Sequence, residues 1–265
     1  MFRFAGKVAI VTGSSNGIGQ AAAVLLASEG AFVTIHGRSE EGLKTTEKLI
    51  LDRGIPSERI LSVQGDIEDE KTTKNLVEKT VERFGKIDIL VNNAGLGGKP
   101  GMDRSSMEAY DYIHGVNIKS ILKLIHLTES HLEKTRGNIV NVSSIAAIIP
   151  RPGTEPYAMS KAALDHYMRC RTQELAKKGI RINNVNPGLI ETNFHLQIGL
   201  SKEAQNQFRS DMSHLIPLGR TGASEEIAKP IAFLASDDAS YITGVALVAD
   251  GGVCQSVTTT LYGSK

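Results

Sequence analysis

Short apolar runs rich in β-branched residues alternate with longer amphipathic segments along the whole chain, and this alternation restricts the fold more than any other feature. Parallel strands need crossover connections, which are usually helices, so the pattern is typical of βαβ units. We therefore predict an α/β fold with a doubly wound parallel sheet. The predicted strands, about seven in all, are residues 7–12, 32–36, 60–64, 87–91, 137–142, 181–185 and 246–249.

Length and composition limit the classes of protein to which the chain can belong. Its 265 residues contain no internal repeat or linker-like segment, which predicts a single domain over residues 1–265. The net charge of +1 provides no field that would attract nucleic acid. Two cysteines, Cys170 and Cys254, are too few for a disulfide framework and are typical of a reducing compartment. Because no apolar run approaches the roughly 20 residues that span a bilayer, we predict a cytoplasmic protein.

Helix signals are clearest in two segments. Residues 69–84 repeat apolar positions at helical spacing, with Asp66 as a plausible N-cap and Gly85 at the end. Residues 156–178 contain no glycine or proline after Pro156, so they predict one long helix.

Two further segments lack a clear place in such a fold. About thirty residues join the sixth strand to the next helix, which is longer than a compact connection needs. We predict that residues 189–216 form a substrate lid, and the apolar side chains there suggest a hydrophobic substrate. Packing of a surface helix is the alternative. The tail at residues 254–265 has no periodicity and is either disordered or docked on a neighbouring subunit.

The first predicted strand leads directly into a glycine-rich turn and then into a helix at residues 20–28. A strand, a close turn and a helix N-terminus together favour a pyrophosphate, because free N–H groups and the helix dipole attract an anion. Gly13, Gly17 and Gly19 give the spacing Gly-x-x-x-Gly-x-Gly, which departs from the commoner Gly-x-Gly-x-x-Gly. A tight turn without a ligand is the alternative, but the order of elements favours a dinucleotide site on a Rossmann-type sheet.

Residues after the second and third strands suggest which dinucleotide binds. Enzymes that use NAD usually carry an acidic residue after the second strand, where this chain has Arg38. A guanidinium pairs with a 2′-phosphate by forked hydrogen bonds, so Arg38 favours NADP; a solvated loop arginine is the alternative. Asp66 and Ile67 follow the third strand at the same predicted edge. For Asp66, capping of its helix and contact with the adenine both stay open.

Tyr157 and Lys161 stand four residues apart on the predicted long helix, so their side chains share one face. A nearby ammonium stabilises phenolate, and we expect it to lower the pKa of Tyr157 from about 10 toward the working range. A solvated helix pair is the common explanation of such spacing alone. Together with the phosphate turn, and with Ser144 and Asn117 in chain order, the pair indicates an active site.

Several motifs together resemble the short-chain dehydrogenase/reductase family over residues 7–252. These motifs are Thr-Gly-x-x-x-Gly-Ile-Gly at residues 12–19, Asn-Asn-Ala-Gly at residues 92–95, Ser144, Tyr-x-x-x-Lys at residues 157–161 and Pro-Gly at residues 187–188. The second half is similar to tropinone-reductase-like and glucose-dehydrogenase-like members.

The resemblance implies a role for each matching residue. Tyr157 would be the general acid or base, and Ser144, at the usual interval before it, would donate to the developing oxyanion. Lys161 would also bond the nicotinamide ribose, and Asn117 would hold a water that links Lys161 to solvent. Residues 187–192 would contact the nicotinamide carboxamide, with hydride leaving from the pro-S face. Assembly as dimers or tetramers would use apolar outer faces of helices at about residues 105–134 and 156–178.

The predicted function is NADP(H)-dependent transfer of a hydride between nicotinamide and a carbonyl or secondary alcohol, as in a cytoplasmic, homotetrameric carbonyl reductase that needs no metal. A non-catalytic NADP-binding scaffold or sensor is the alternative, and epimerisation or dehydration on the same fold is a third. The predicted catalytic residues are Asn117, Ser144, Tyr157 and Lys161. The predicted cofactor-binding residues are Gly13, Ser15, Asn16, Gly17, Ile18, Gly19, Arg38, Asp66, Ile67, Asn93, Ala94, Gly95, Tyr157, Lys161, Pro187, Gly188, Ile190 and Thr192.

Overall fold

Seven parallel strands form the centre of the computed structural model, which describes residues 2–256. The strands are β1 (Val8–Val11), β2 (Phe32–Gly37), β3 (Ile60–Gln64), β4 (Ile89–Asn92), β5 (Asn138–Val142), β6 (Arg181–Pro187) and β7 (Ala246–Ala249). Their order is β3-β2-β1-β4-β5-β6-β7. The chain builds outward from β1 in one direction, returns to β4 and builds outward in the other. The predicted doubly wound, Rossmann-type sheet is thus confirmed, with its switch point between β1 and β4.

Helices cover both faces of this sheet. The described helices are α1 (Gly17–Ser28), α2 (Glu40–Leu51), α3 (Glu70–Phe84), α4 (Met107–His114), α5 (Ser120–Thr135), α6 (Glu155–Lys177), α7 (Phe194–Gln197), α8 (Lys202–Ser213) and α9 (Ser224–Ala235). One apolar core lies under α1, α2 and α9, and a second lies under α3, α4, α5 and α6. Strands buried on both faces explain why the sequence shows continuous apolar runs rather than alternation.

The ends of two helices differ from the prediction. Asp69, not Asp66, caps α3: its carboxylate accepts from the backbone N–H of Lys71 at 3.1 Å and of Thr72 at 3.3 Å. Asp66 accepts from the N–H of Glu68 before the helix starts, so its capping role is wrong. The predicted end at Gly85 is confirmed, since this residue has a left-handed backbone with φ +80°. Helix α1 begins at residue 17 rather than 20.

A wide π-helical turn at Gly115–Lys119 separates α4 from α5, where one continuous helix over residues 105–134 was expected. Such turns insert an extra residue and are frequent at functional sites. Asn117 lies in this turn and is fully buried. By contrast, α6 is the single long helix that the composition of its segment predicts.

Buried amides connect α6 to the sheet. Asn92 of β4 donates to Asn141 of β5 at 2.9 Å, and Asn141 donates to Asn184 of β6 at 2.8 Å. Asn184 and Asn186 then donate to the two carboxylate oxygens of Asp165 at 2.8 and 2.7 Å. Because α6 also carries Tyr157 and Lys161, this buried network fixes the position of both side chains relative to the strand ends.

The expected lid segment contains the short helices α7 and α8 and is tied to the strand edge. The carbonyl oxygen of Thr192 accepts from the side chains of Gln205 and Arg209, each at 2.8 Å. Of the predicted tail, residues 257–265 lie outside the described part of the chain. Within residues 2–256, no helix combines the length and apolar character that crossing a membrane requires.

Candidate active site

A single cleft at the carboxyl ends of the strands contains most of the predicted site residues. The predicted residues that line it are Gly13, Ser15, Asn16, Gly17, Ile18, Arg38, Asp66, Ile67, Asn93, Ala94, Gly95, Ser144, Tyr157, Lys161, Pro187, Gly188, Ile190 and Thr192. Gly19 and Asn117 lie behind the lining. The cleft spans the switch point of the sheet, which is where open α/β sheets bind ligands.

The glycine-rich turn is fastened to the end of β4. Gly13 has φ +64°, and a Cβ there would lie 2.8 Å from the Cα of Ala94. The side-chain amide of Asn93 donates to the carbonyl oxygens of Thr12 at 2.8 Å and of Gly13 at 3.0 Å. A Cβ on Gly19 would clash with the amide nitrogen of Asn93 and the carbonyl oxygen of Gly13. Gly19 therefore serves the close packing of the turn rather than the lining of the cleft.

The end of the cleft near β2 contains Arg38 and a buried histidine. Neither ring nitrogen of His36 has a hydrogen-bond partner, although the ring is only 2% exposed. Burial lowers the pKa of His36 to about 4, against opposing effects of the Gly65 backbone and the charge of Asp66. The imidazole is therefore neutral at pH 7, and the positive charge here comes from Arg38. The sequence analysis missed His36 because it stands inside an apolar strand.

The other end of the cleft brings Ser144, Tyr157 and Lys161 together. Ser144 follows β5, while Tyr157 and Lys161 lie one turn apart on α6. The hydroxyl of Ser144 lies close enough to the phenol of Tyr157 for their interaction to lower the pKa of that phenol. The adjacent Ser143 instead donates to the backbone carbonyl of Lys161 at 3.3 Å. Of the two serines, Ser144 is thus the one that interacts with the phenol, and its catalytic role stays a prediction.

The expected lowering of the pKa of Tyr157 by Lys161 is wrong for this structure. Burial raises the pKa of Tyr157. The interaction with Ser144 and the charge of Arg151 lower this pKa, but by less than burial raises it. The ammonium of Lys161 lies 5.8 Å from the centre of the Tyr157 ring and donates to the carbonyl of Val142 at 2.9 Å. Burial also lowers the pKa of Lys161 to about 8, against the charge of Asp165. Tyr157 is therefore held as a neutral phenol, the form that can donate a proton.

Asn117 lies behind Gly95 and close to Lys161. Its side-chain oxygen accepts from the N–H of Leu96 at 2.9 Å, and its amide donates to the carbonyl of Leu96 and to Ser160, both at 3.0 Å. A Cβ on Gly95 would lie 3.2 Å from the Asn117 oxygen and 3.4 Å from the Lys161 nitrogen. Asn117 thus holds the backbone beside Lys161, and the water relay that the resemblance implies stays a prediction.

The segment after β6 closes the cleft opposite the glycine turn. A Cβ on Gly188 would lie 2.7 Å from the Cα of Asp250, so this position needs a residue without a side chain. A Cβ on Gly17 would lie 3.1 Å from a methyl carbon of Thr192, which brings the turn and this segment to the same space. Pro187, Gly188, Ile190 and Thr192 therefore lie across the cleft from the glycine turn, and their contact with a nicotinamide stays a prediction.

Two lining residues near Tyr157 extend the site beyond the sequence motifs. The ring of Phe194 lies 5.5 Å from the ring of Tyr157, tilted by 56°. Arg151 lines the cleft from the loop before α6. That loop is rich in proline and glycine and has no periodic pattern, so no sequence signal pointed to Arg151.

Residues 2–256 contain no cluster of three or more histidine, cysteine or acidic side chains arranged to hold a metal ion.

Known proteins match the chain over nearly its whole length. The profile of a family described as enoyl-(acyl carrier protein) reductase matches residues 13–254. A 3-oxoacyl-[acyl-carrier-protein] reductase of Thermotoga maritima is 38% identical over 252 residues, which cover 95% of this chain and 99% of that protein. A Caenorhabditis elegans short-chain dehydrogenase/reductase of unknown function, crystallised with cofactor, is 40% identical, with a TM-score of 0.92 and coverage of 96% and 97%. The apo-form glucose dehydrogenase of Caenorhabditis elegans is 41% identical, with a TM-score of 0.84 and coverage of 96% and 99%.

The fold and the cleft thus define an oxidoreductase of the Rossmann type. The chain belongs to the short-chain dehydrogenase/reductase family, as its motifs predict. A 3-ketoacyl-(acyl-carrier-protein) reductase of Brucella melitensis, 33% identical with a TM-score of 0.84 and coverage of 95% and 99%, has been crystallised with NADH.

Proposed function

We propose that the chain is an NADP(H)-dependent oxidoreductase that interconverts a carbonyl compound and a secondary alcohol, with Tyr157 as the general acid or base. The observation that carries this proposal is the position of the phenol. It interacts with Ser144, lies beside Lys161 and lines the same cleft as the glycine turn. The cofactor would rest on that turn, with Arg38 at its adenosine end and residues 187–192 at its nicotinamide end.

In the reducing direction, the bound nicotinamide supplies the hydride to the carbonyl carbon. The side chains of the chain then manage the charge that develops on the carbonyl oxygen. The Tyr157 O–H donates its proton to that oxygen, and the Ser144 hydroxyl stabilises it by a hydrogen bond. The ammonium of Lys161 stabilises the phenolate that remains. In the oxidising direction, the phenolate takes the alcohol proton instead.

The end of β2 favours NADP over NAD in this proposal. An acidic residue at position 37 would need a Cβ, and that atom would lie 2.9 Å from the Cβ and the hydroxyl of Ser15. Gly37 thus packs closely against Ser15, and the residue that follows it, where enzymes that use NAD usually carry the carboxylate, is Arg38. The side chain of Arg38 has no ion pair or hydrogen bond within the described chain, so its guanidinium can bind a 2′-phosphate.

We expect the substitution Arg38→Ala to weaken NADPH binding roughly 10- to 100-fold, because one charge-assisted hydrogen-bonded contact is lost. NADH binding should change by less than about twofold, since NADH lacks the phosphate. Fluorescence titration of both nucleotides measures the effect, with the exposed Arg53→Ala as the matched control. Equal weakening of NADPH and NADH would contradict the assignment of Arg38.

The rate of carbonyl reduction is expected to depend on the charge of Lys161. With a pKa of about 8, its ammonium is present at pH 7 and is lost above pH 8, so kcat/KM should be level below that pH and fall above it. Asp165 acts on the pKa of Lys161, and Ser144 and Arg151 act on the pKa of Tyr157. These groups therefore set the pH at which the rate of reduction has fallen by half. Alcohol oxidation should rise with pH over the same range, because it needs the phenolate.

A pH profile of both reactions, measured at saturating cofactor, tests this expectation. The variant Lys161→Arg keeps its charge at all these pH values and should lack the fall near pH 8. A wild-type profile for reduction that stays level well above pH 8 would show that the charge of Lys161 is not needed.

Three further features belong to the proposal. Location in the cytoplasm is supported by Cys170 and Cys254, which are both free thiols. Closure of residues 189–216 over an apolar substrate is supported by the contact of Phe194 with Tyr157.

Assembly as a homotetramer receives less support. Contrary to expectation, the exposed positions of α5 and α6 are mostly polar or small. Met159 is the large apolar exception among them. Light scattering of the purified protein measures the oligomeric state.

A further inference from the structure

Arg151 occupies the substrate half of the cleft, yet the chemistry of the proposed reaction leaves it without a role. It stands in the loop between Ser144 and α6 and lines the cleft together with Tyr157. Its side chain is half-buried. Its charge is close enough to Tyr157 to lower the pKa of the phenol, against the larger effect of burial.

The guanidinium of Arg151 has no partner within residues 2–256. Its backbone carbonyl accepts from Thr154, but its side chain makes no ion pair and no hydrogen bond in this part of the chain. Glu155, four residues further on, accepts instead from the N–H of Gly153 at 2.9 Å. A half-buried cation without a partner is stabilised by any anion that reaches it.

The lining of the cleft supplies no such anion near Arg151. Among the residues of the described chain that line the cleft, the one with a carboxylate is Asp66, and it lies at the opposite, adenosine end. Apolar side chains line the same cleft as Tyr157, among them Leu96, Leu189 and Phe194. The substrate half of the cleft therefore combines apolar side chains, a proton donor and, besides the Lys161 ammonium that donates to the carbonyl of Val142, one further cation in Arg151.

We propose that the substrate is an apolar carbonyl compound that also carries a carboxylate, and that Arg151 binds this carboxylate while Tyr157 protonates the carbonyl oxygen. The inference rests on the proposed function. The planar guanidinium matches a carboxylate by two parallel hydrogen bonds, which orients the substrate as well as holding it. A bound carboxylate would also cancel the effect of Arg151 on the phenol, which keeps Tyr157 in its proton-donating form.

Matched pairs of substrates test the proposal. Medium-chain oxo acids, with the carbonyl moved stepwise along the chain, are compared with their methyl esters, which keep the shape and lose the charge. For at least one oxo acid, Arg151→Gln is expected to lower kcat/KM roughly 10- to 100-fold, mainly through KM, and to change the ester by less than about twofold. Arg151→Lys should recover part of the loss, and the exposed Arg169→Gln on α6 should behave as wild type.

A binding measurement separates this inference from the proposed reaction. Calorimetric titration of oxo acids and esters into Tyr157→Phe, with and without NADPH, needs no turnover. The inference would be supported if an oxo acid bound more tightly than its ester and if this binding were lost in Tyr157→Phe/Arg151→Gln. This support would hold even if no compound were reduced. Equal binding of acids and esters, or an equal loss of both on removing Arg151, would overturn it. Preference for phosphonate analogues over the oxo acids would also overturn the choice of a carboxylate.

Discussion

The substitution Tyr157→Phe is expected to lower kcat/KM for carbonyl reduction by roughly 10²- to 10⁴-fold, which is the range that general acid catalysis contributes. It removes one oxygen, the one that interacts with Ser144, from a side chain that lines the cleft. The ring itself stays, and so does its packing against Phe194 at 5.5 Å. Binding of NADPH and the thermal unfolding temperature should therefore change little.

The chain offers a matched control for this experiment. Tyr167 stands on the same helix and is partly buried against the second apolar core, away from the cleft. Tyr167→Phe also removes one phenol oxygen and should retain nearly full activity. Absorbance at the nicotinamide band, with a panel of ketones and oxo acids, measures both variants. Activity of Tyr157→Phe within about tenfold of wild type would show that another group donates the proton. NADPH binding with no turnover of any carbonyl by the wild-type protein would favour the non-catalytic scaffold.

The sequence was sufficient to predict the sheet and the edge at which the site lies. Each predicted strand is present, because the strands are rich in β-branched apolar residues, as strands of a parallel sheet covered on both faces usually are. The spacing of the glycine turn fits a strand, a turn and a helix in that order. Ser144 and the pair on α6 follow at the intervals that the family resemblance implies. Since the carboxyl ends of all the parallel strands share one edge of the sheet, the chain order of these motifs placed them in a single cleft.

Features that depend on three-dimensional surroundings could not be predicted in this way. The pKa of Tyr157 was expected to fall because Lys161 is four residues away, but burial of both groups outweighs that pairing. The cap of α3 was assigned to Asp66, although three acidic residues, Asp66, Glu68 and Asp69, precede the helix and only the geometry of the turn selects Asp69. Arg151 and His36 reach the cleft from a loop and from inside a strand, where no periodicity or motif marks them.

In the cofactor half of the cleft, we expect the largest effect on NADPH binding from a substitution at Gly19, because the surroundings of this residue are so close. Gly19 lies in α1 with an ordinary helical backbone, so Ala would stabilise the helix by about 1 kcal/mol if space allowed. Space does not allow it: the added methyl group would meet the carbonyl oxygen of Gly13 and the amide of Asn93. Neither neighbour can move easily, because that amide already donates to the carbonyls of Gly13 and Thr12.

We therefore expect Gly19→Ala to push the turn away from the end of β4 and to weaken NADPH binding at least roughly 100-fold, about 3 kcal/mol, with an overpacking cost to folding of about 1–3 kcal/mol. Fluorescence titration and thermal unfolding, each with and without NADPH, measure the two effects. Gly54→Ala is the control: φ there is +76° with open space around the site, so backbone strain should cost about 1 kcal/mol and leave NADPH binding unchanged. If Gly19→Ala bound NADPH as tightly as Gly54→Ala does, the close packing of the turn against Asn93 would not be what shapes the cofactor site.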